Sequence, residues 1–465
     1  MKRNKTAMVL LCTLAAAVLL LTGLRSSASA FAADGGSAQY IVKYKDDTAP
    51  FHVVSGSEME RLREQGRLEW YEPDGEATLI DPAPDMVLFG TLSDYHEDEQ
   101  WNLDLIGADG AFRLGCLGQG VRVGVLDSGI NPHPALEGSL QPGHNYIQDA
   151  ADPADTADSY GHGTRVAGLI AGVSDGGYIG PAPGAALVPL KVTDGKSVKI
   201  SAVCAAIYGA IDDYDCDVLN LSLGVTTEYE ALKAAVAYAE AHHVVVVSAV
   251  GNGGTTARYY PAEYDTVIGV GAVDSGGSVY YRSNHNDSVL VTAPGVDVRT
   301  TAAAGGYTTA TGTSFAVPQV SAAAAILRGI DGTLSPEAIR ALIAGTAEDR
   351  GEAGYDPYYG YGILNIAGSI AALDGGTGRN TPCVLLPETG PAKELQNTSD
   401  HTVSCTYLLA QYDENGRCLN VKATQYELAP GQSAPLETPP QGASYGQFVC
   451  ETDTMIPLTK ERKGP

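Results

Sequence analysis

Basic residues are scarce in this chain. Lys and Arg number 29 against 55 Asp and Glu, which gives a formal net charge of −26 at pH 7. A surface of this sign repels phosphate groups and anionic lipid heads, so neither nucleic acid nor an anionic membrane is an expected partner. Hydrophobic residues still make up 44% of the chain, enough for a large core, so the composition excludes a disordered protein.

Long apolar runs are also scarce, and the one that is present lies near the N-terminus. It covers residues 7–21, follows three basic residues, and precedes the small-residue sequence Ala28-Ser29-Ala30. This order is typical of a secretory signal peptide, which we predict over residues 1–30; a retained membrane anchor is the alternative. We therefore expect a secreted, extracellular protein with no membrane partner after signal removal. Attachment to the cell surface is left open.

Cysteine usage excludes further classes. None of the eight cysteines stands in a CxxC pair, so a zinc or redox site has no support and no metal ligands are expected. With Cys12 in the predicted signal peptide the remaining number is odd, which leaves at least one thiol free or paired between molecules.

Two other enzyme classes lack their signatures. The segment Gly312-Thr313-Ser314-Phe315-Ala316 departs from the G-x-S-x-G pattern of α/β-hydrolases at its last position. The segment Gly118-Gln119-Gly120 precedes a predicted strand and has no third glycine, so it is not a dinucleotide-binding loop.

The sequence does contain a long alternation of strand and helix patterns. The strand-like runs are short, β-branched and bounded by Gly or Asp, at residues 121–126, 187–192, 218–223, 244–250 and 267–271. Helical patterns lie between and after them, at residues 164–172, 201–214, 229–242, 314–328 and 335–345. Such continuous apolar runs are typical of buried parallel strands, so we predict an α/β fold with a parallel sheet and helices on both faces.

Smaller modules are predicted on either side of this α/β domain, which we assign to residues 96–375. Residues 31–95 contain an opening strand, a short polar helix and further strand-like runs, typical of a small α+β module. After a glycine-rich linker at residues 375–378, alternating runs predict a C-terminal β-sandwich-like module over residues 376–465.

Asp127, His162 and Ser314 each lie within a short motif of the α/β domain. Asp127 follows a predicted strand in Val-Leu-Asp-Ser-Gly, His162 lies in Gly-His-Gly-Thr, and Ser314 lies in Gly-Thr-Ser-Phe-Ala. Open α/β sheets bind ligands at the carboxyl ends of their strands, where Asp127 is expected. The chain order Asp, His, Ser is one of the three known orders of a Ser-His-Asp triad.

Each of these residues also has a purely structural interpretation. Asp127 could form a turn, His162 could begin a helix, and Ser314 could cap one. Asn252, in Ala249-Val250-Gly251-Asn252 at a predicted strand end, could be a turn residue. The presence of all four on predicted strand ends and helix starts favours catalysis.

The motifs resemble those of the subtilisin-like serine peptidases, the subtilase family, over about residues 100–375. The resemblance implies a subtilisin-like three-layer fold. It also implies that Ser314 is the nucleophile, that His162 is its base, and that Asp127 orients the imidazole. Asn252 would then donate to the oxyanion beside the N–H of Ser314.

The resemblance further implies where polypeptide substrates bind. The segment Ser222-Leu223-Gly224 matches the family strand that pairs with the substrate backbone. Together with Ala249 and Gly251 it is expected to line the pocket for the residue before the scissile bond. Tyr259, a bulky residue, lies where the pocket floor is expected, so the pocket is expected to differ in size.

The N-terminal module resembles the inhibitor-like propeptides of the family. This implies that the chain's own propeptide, residues 31–95, binds the active site as an inhibitor. The family spacing to residues 100–106 predicts that the enzyme cuts itself between Tyr95 and His96.

The usual high-affinity calcium site of the family is expected to be lost. Ala135 follows His133-Pro134 where the family has a carboxylate, and the loop over residues 172–180 is short and has no Asn. Loss of a carboxylate weakens a site for a hard cation. Calcium elsewhere is left open, and the chemistry itself requires no cofactor.

These observations predict a secreted serine endopeptidase that forms an acyl-enzyme and is made as a self-processing precursor. Two alternatives are an inactive subtilase fold used for binding and a serine hydrolase of other esters or amides. The intact motifs argue against the first, and the peptide-pairing segment with the predicted propeptide argues against the second.

Overall fold

A computed structural model describes residues 38–45, 47–80, 100–174 and 177–377. Beyond these it describes stretches of the C-terminal tail, namely 383–386, 394–397, 403–412, 418–429, 432–436, 444–451 and 462–464. The chain divides into two compact units, Met1–Pro73 and Asp74–Pro465. Among the described residues, no helix combines the length and the apolar character needed to cross a membrane.

The first unit is a small antiparallel sheet with one helix. Its elements are β1 (Gln39–Tyr44), β2 (His52–Ser55), α1 (Gly56–Glu64) and β3 (Leu68–Pro73), with strand order β2-β1-β3. Ser55 caps α1, since its side chain accepts a hydrogen bond from the N–H of Glu58 at 3.3 Å. The helix buries Met59 and Leu62 in a cluster with Val42 of β1.

The second unit begins with a strand that the sequence prediction placed in the N-terminal module. Strand β4 (Glu76–Leu79) lies instead between β8 (Ser197–Lys199) and β10 (Leu223–Gly224), in an antiparallel sheet of order β10-β4-β8. The local alternation of apolar and polar residues predicts this strand correctly. The strands that pair with it lie more than a hundred residues away along the chain.

The centre of the second unit is a sheet of seven parallel strands, which confirms the predicted α/β class. Its order is β13-β12-β11-β9-β5-β7-β6. The strands are β5 (Arg122–Asp127), β6 (His144–Asn145), β7 (Ala186–Lys191), β9 (Val218–Leu221), β11 (Val245–Ala249), β12 (Ile268–Val273) and β13 (Val291–Pro294). They are nearly continuous apolar runs because helices cover both faces, and every residue of β9, β11, β12 and β13 is buried.

Eight helices are described in this unit. They are α2 (Trp101–Leu105), α3 (Ala108–Leu114), α4 (His162–Ala171), α5 (Ile200–Asp212), α6 (Glu230–Ala241), α7 (Thr313–Ile330), α8 (Pro336–Thr346) and α9 (Ile366–Thr377). The central one is α7, which packs against β9, β11, β12 and β13 and in which every residue from Thr313 to Arg328 is buried. The alanines at 322–325 let it lie close to the sheet.

The remaining strands form antiparallel pairs and sheets. Strands β14 (Val298–Thr301) and β15 (Tyr307–Ala310) form a hairpin next to α4. In the tail, β16 (Cys383–Leu386), β17 (Glu394–Asn397) and β20 (Ser433–Pro435) form one sheet. A second contains β18 (Val403–Tyr412), β19 (Cys418–Leu428), β21 (Ser444–Glu451) and β22 (Arg462–Gly464). All of these described pairs are antiparallel, and the β-sandwich-like module over residues 376–465 stays a prediction.

The linker predicted at residues 375–378 begins inside α9. The helix extends to Thr377 because Ile366, Ile370 and Leu373 recur at helical spacing and are buried. Two glycines at its C-terminal end are tolerated, since the end of a helix is where glycine costs least.

Candidate active site

The carboxylate of Asp127 and the ring of His162 form the first pair of the site. Asp127 ends β5 and His162 begins α4, so a strand end and a helix start bring them together. Nδ1 of His162 lies 2.8 Å from Oδ1 and 2.9 Å from Oδ2 of Asp127, and both side chains are fully buried. With its hydrogen on Nδ1, the imidazole donates to this carboxylate and keeps Nε2 for proton exchange.

The backbone around His162 requires a glycine on each side of it. Gly161 has a φ of 88°, in the region that favours glycine. At Gly163 a Cβ would lie 2.1 Å from the carbonyl oxygen of Gly129 and 3.1 Å from Oδ1 of Asp127. A larger residue would push α4 away from the carboxylate, which explains the Gly-His-Gly sequence.

Asp158 holds the start of α4 from the preceding loop. Its Oδ1 accepts from the N–H of Gly161 at 2.6 Å and from Oγ of Ser128 at 2.7 Å. Its Oδ2 accepts from the N–H and the Oγ of Thr164 at 2.8 and 2.6 Å. The carboxylate is only 4% exposed, and its charge is favoured by the positive end of the helix dipole.

Ser314 lies in the first turn of α7 and is fully buried. The helix follows Gly312, whose φ of 139° again favours glycine. The next residue, Phe315, has its ring centroid 5.3 Å from that of His162. The starts of α4 and α7 therefore meet at this site, and both present the positive ends of their dipoles.

The carbonyl oxygen of Ile80 lies between Ser314 and Asn252. Oγ of Ser314 contacts it directly, and Nδ2 of Asn252 donates to it at 3.1 Å. Oδ1 of Asn252 accepts from the N–H and the Oγ1 of Thr313 at 2.9 and 3.0 Å, which fixes the orientation of the amide. A hydroxyl and an oriented amide donor thus converge on one carbonyl oxygen. Donors at a carbonyl oxygen stabilise the charge that acyl transfer develops there.

Strand β4 carries Ile80 into this position as the middle strand of its sheet. On one side Leu79 pairs with Leu223, and the N–H of Ile80 donates to the carbonyl of Ser222 at 3.0 Å. On the other side the N–H of Leu79 donates to the carbonyl of Lys196 at 2.9 Å. The site therefore binds an extended backbone on both edges.

Comparison with known proteins identifies the fold. The profile of the family described as "Subtilase family" matches residues 118–362, just over half of the 465 residues. The chain is 37% identical over 277 residues to subtilisin DY from Bacillus licheniformis, which covers 57% of this chain and 96% of that protein. It is 32% identical over 314 residues to a thermostable alkaline protease from Halalkalibacterium halodurans, and this match covers 67% of the chain and 80% of that protease. It is 34% identical over 267 residues to subtilisin Savinase from Lederbergia lenta, and this match covers 57% of the chain and 96% of Savinase.

The chain belongs to the subtilase family. It is a serine-type endopeptidase, and the α/β subtilisin-like fold that the motifs implied is confirmed.

Of the other residues predicted to bind substrate, Ser222, Leu223 and Gly224 lie beside β4 in this subtilase. Leu223 and Gly224 form β10, and Ser222 precedes it with its Oγ donating to the carbonyl of Ser314 at 2.9 Å. Ala249 ends β11 and is fully buried. Gly251 follows with a φ of 107° and lies against the ring of Tyr259.

Acidic side chains add to the binding of β4. Glu76 accepts from Oγ of Ser197 at 2.6 Å and from Nζ of Lys199 at 2.9 Å. The bond from Ser197, and then that from Lys199, hold the pKa of Glu76 below its usual range. Asp74 accepts from the N–H and the Oγ of Ser201, at the start of α5, at 3.0 and 2.7 Å.

Loss of the family's usual calcium site stays a prediction, and the structure gives the surroundings of Ala135. The side chain of Ala135 has no oxygen, and its carbonyl accepts from the N–H of Val173 at 2.7 Å. In the described part of the chain, no three His, Cys, Asp or Glu residues are grouped so that they could hold a metal ion. No step of the chemistry is derived through calcium.

Three contributors to the site lie outside the sequence prediction: Ile80, Asp158 and Thr313. Asp158 lies four residues before His162, and Thr313 lies directly before Ser314. Polar residues this close to a predicted catalytic residue are the feature by which the sequence could have indicated their roles. The role of Ile80 depends on long-range pairing, which the sequence does not reveal. The predicted Tyr95–His96 junction lies outside the described residues.

Proposed function

We propose that this subtilase is a secreted serine endopeptidase in which Ser314 attacks the carbonyl carbon of the scissile peptide bond. The observation that carries the proposal is the Ile80 carbonyl, in contact with Oγ of Ser314 and hydrogen-bonded by Asn252. A substrate carbonyl needs a nucleophile at its carbon and a donor at its oxygen. Polypeptides are the substrate class, because β8 and β10 bind β4 through backbone groups that any extended peptide offers.

His162 moves the protons of the reaction. Its Nε2 takes the proton of Ser314 as the Oγ–C bond forms, and gives it to the leaving nitrogen as the C–N bond breaks. Water then attacks the acyl-enzyme and loses a proton to Nε2, and that proton returns to Oγ as the carboxyl product leaves. Asp127 accepts the hydrogen bond from Nδ1 throughout and stabilises the imidazolium.

Asn252 and the start of α7 stabilise the oxyanion. The amide of Asn252 is held in place by Thr313, so it needs no reorganisation when charge develops on the carbonyl oxygen. The N–H of Ser314 is the second donor of the proposed oxyanion hole. It belongs to the first turn of α7, where the helix dipole favours negative charge.

The precursor processes itself, and its first cut falls between Ile80 and Asp81. Support comes from the Ile80 carbonyl, which is bound as the carbonyl of a scissile bond would be. After the cut, residues 74–80 retain their backbone pairs and the contacts of Asp74 and Glu76, so the propeptide inhibits the enzyme. The junction at Tyr95–His96, expected from the family spacing, stays a prediction and is the alternative to this cut.

Secretion rests on the N-terminal sequence. Residues 1–30 combine three basic residues, an apolar run and a small-residue cleavage sequence, in the order of a signal peptide. They lie outside the described residues.

The test compares secreted wild-type protein with Ser314→Ala. Removing the hydroxyl should lower casein and peptide hydrolysis by about a millionfold, the loss known for subtilisin itself. Wild type should release a propeptide fragment that ends at Ile80, detected by mass spectrometry, whereas the variant should remain a precursor that starts after the signal peptide. Equal processing of Ser314→Ala, or near-normal activity in a variant with an unchanged melting temperature, would contradict the mechanism. A propeptide fragment ending elsewhere would contradict the junction.

A further inference from the structure

Two glycines leave room beside the carbonyl that Ser314 contacts. Gly224 ends β10, and Gly251 follows β11. Neither has a side chain to fill the space between the two strand ends. In a peptidase with these walls, that space is where the side chain before the scissile bond would lie.

The ring of Tyr259 takes up much of this room. A Cβ on Gly251 would lie 3.0 Å from both Cδ2 and Cε2 of Tyr259, and a Cβ on Gly224 would lie 3.0 Å from its Cδ1. The ring therefore contacts both glycines at once.

The side chain of Ile80 lies next to this ring. A Cβ on Gly224 would lie 3.1 Å from Cδ1 of Ile80, so this methyl group and the ring of Tyr259 lie side by side on the same glycine. Ile80 is only 5% exposed. A branched aliphatic side chain is thus accommodated here with its tip next to the ring of Tyr259.

The backbone holds Tyr259 in this position. The next residue, Tyr260, donates from its N–H to the carbonyl of Val225 at 2.8 Å and accepts from the N–H of Val225 at 3.0 Å. The carbonyl of Tyr259 accepts from the N–H of Glu263 at 2.9 Å. These bonds fix the segment to the strand that binds substrate, so the ring cannot leave with a movement of its own loop.

We infer that Tyr259 limits the primary specificity pocket, so that this endopeptidase cleaves after branched aliphatic residues such as Ile, Val and Leu and discriminates against Phe and Tyr. The inference rests on the proposed function and names its substrate class. An aromatic side chain at the position of Ile80 would need the volume that the ring of Tyr259 occupies. Close packing tolerates such an overlap poorly.

The experiment uses mature enzyme from the full chain and a series of fluorogenic hexapeptides. The peptides share the sequence of residues 75–79 and differ only in the residue before the scissile bond, which is Ile, Val, Leu, Phe or Tyr. We expect wild type to hydrolyse the Ile peptide with a kcat/KM at least about tenfold above that of the Phe peptide, the discrimination that shape in an apolar pocket provides. Tyr259→Gly should abolish or reverse this ratio by accelerating cleavage after Phe.

Three control variants separate the pocket from other effects. Tyr259→Phe keeps the ring and should keep the preference of the wild type. Tyr281→Ala removes a tyrosine ring that is 77% exposed and should leave the ratio unchanged. Ser314→Ala should cleave none of the peptides. Melting temperatures of all variants show that each is folded.

The outcomes distinguish the inference from the function on which it rests. A wild type that prefers Phe or Tyr overturns the inference and leaves the peptidase function intact. An unchanged ratio in folded Tyr259→Gly also overturns it. A wild type that cleaves no peptide and does not react with a serine-directed phosphonate overturns the proposed function, and the inference with it.

Discussion

Thr313 sets the orientation of the Asn252 side chain. Its N–H and its Oγ1 both donate to Oδ1 of Asn252, at 2.9 and 3.0 Å, so Nδ2 is turned towards the carbonyl of Ile80. An amide that could rotate would have to be ordered as charge develops, whereas this one is ordered in advance.

Asn252→Ala should lower kcat by about 100- to 1000-fold with little change in KM, the range known for removal of the corresponding donor in subtilisin. The interaction is strongest when the oxygen carries charge, so its loss affects the transition state more than substrate binding. Steady-state kinetics on a short peptide measures both constants.

Thr313 variants provide the matched control. Thr313→Ser keeps both hydrogen bonds, so its kcat should stay within about twofold of the wild-type value. Thr313→Val loses only the hydrogen bond of the hydroxyl, which is worth about 1 kcal/mol, so its kcat should fall roughly fivefold. Asn252→Ala with a kcat near that of wild type would show that the Asn252 amide does not stabilise the oxyanion.

Asp158→Asn should reduce both stability and kcat. The carboxylate accepts from three donors at the start of the helix that carries His162, and also from Oγ of Ser128. That Oγ itself lies 3.2 Å from Oδ1 of Asp127. An amide places an N–H where an acceptor is needed, at a cost of about 2–3 kcal/mol and a fall in melting temperature of roughly 4–12 °C.

A positioning role for Asp158 predicts that kcat falls, by about tenfold, while KM changes little. Asp155→Asn is the matched control. Asp155 is exposed in the same loop, and its side chain accepts from the N–H of Ala157 at 3.1 Å, so its variant should behave as wild type. A loss of stability in Asp158→Asn with unchanged kcat would leave Asp158 a purely structural residue.

The sequence predicted the parts of this site that depend on local structure. Asp127, His162 and Ser314 follow or begin elements whose apolar patterns are strong, so their places at strand ends and helix starts could be derived. Helix α4 even includes His162 in its first turn, two residues earlier than its predicted start, because Asp158 supplies acceptors for the orphan N–H groups.

Features that depend on long-range pairing could not be derived. The alternation at residues 77–80 predicts a strand, but nothing local indicates that its partners are Ser197–Lys199 on one edge and Leu223–Gly224 on the other. The pairing in turn decides which carbonyl reaches Ser314. The Tyr95–His96 junction, which was counted from residues 100–106, lies outside the described residues and stays a prediction.

Removal of calcium should have little effect on stability. Ala135 offers no side-chain oxygen at the family's usual site, so an ion there would contribute little binding energy to the folded state. Adding a chelator should lower the melting temperature by less than about 2 °C, measured by calorimetry, and adding calcium back should restore the same small change. A fall of more than about 10 °C, several kcal/mol for a domain of this size, would reveal a structural ion elsewhere in the protein.

Truncation after Thr377 should leave cleavage of short peptides intact, with kcat/KM within about twofold of the full chain. The core cluster of the catalytic unit extends from Ile80 to Leu373, so α9 completes it and the tail strands pair among themselves. The matched control ends the chain after residue 365 and so removes α9. Because Ile366, Ile370 and Leu373 are buried, this shorter chain should lose several kcal/mol and fail to accumulate as folded enzyme. If the chain ending at Thr377 also fails to fold, then the tail is part of the catalytic unit rather than a separate module.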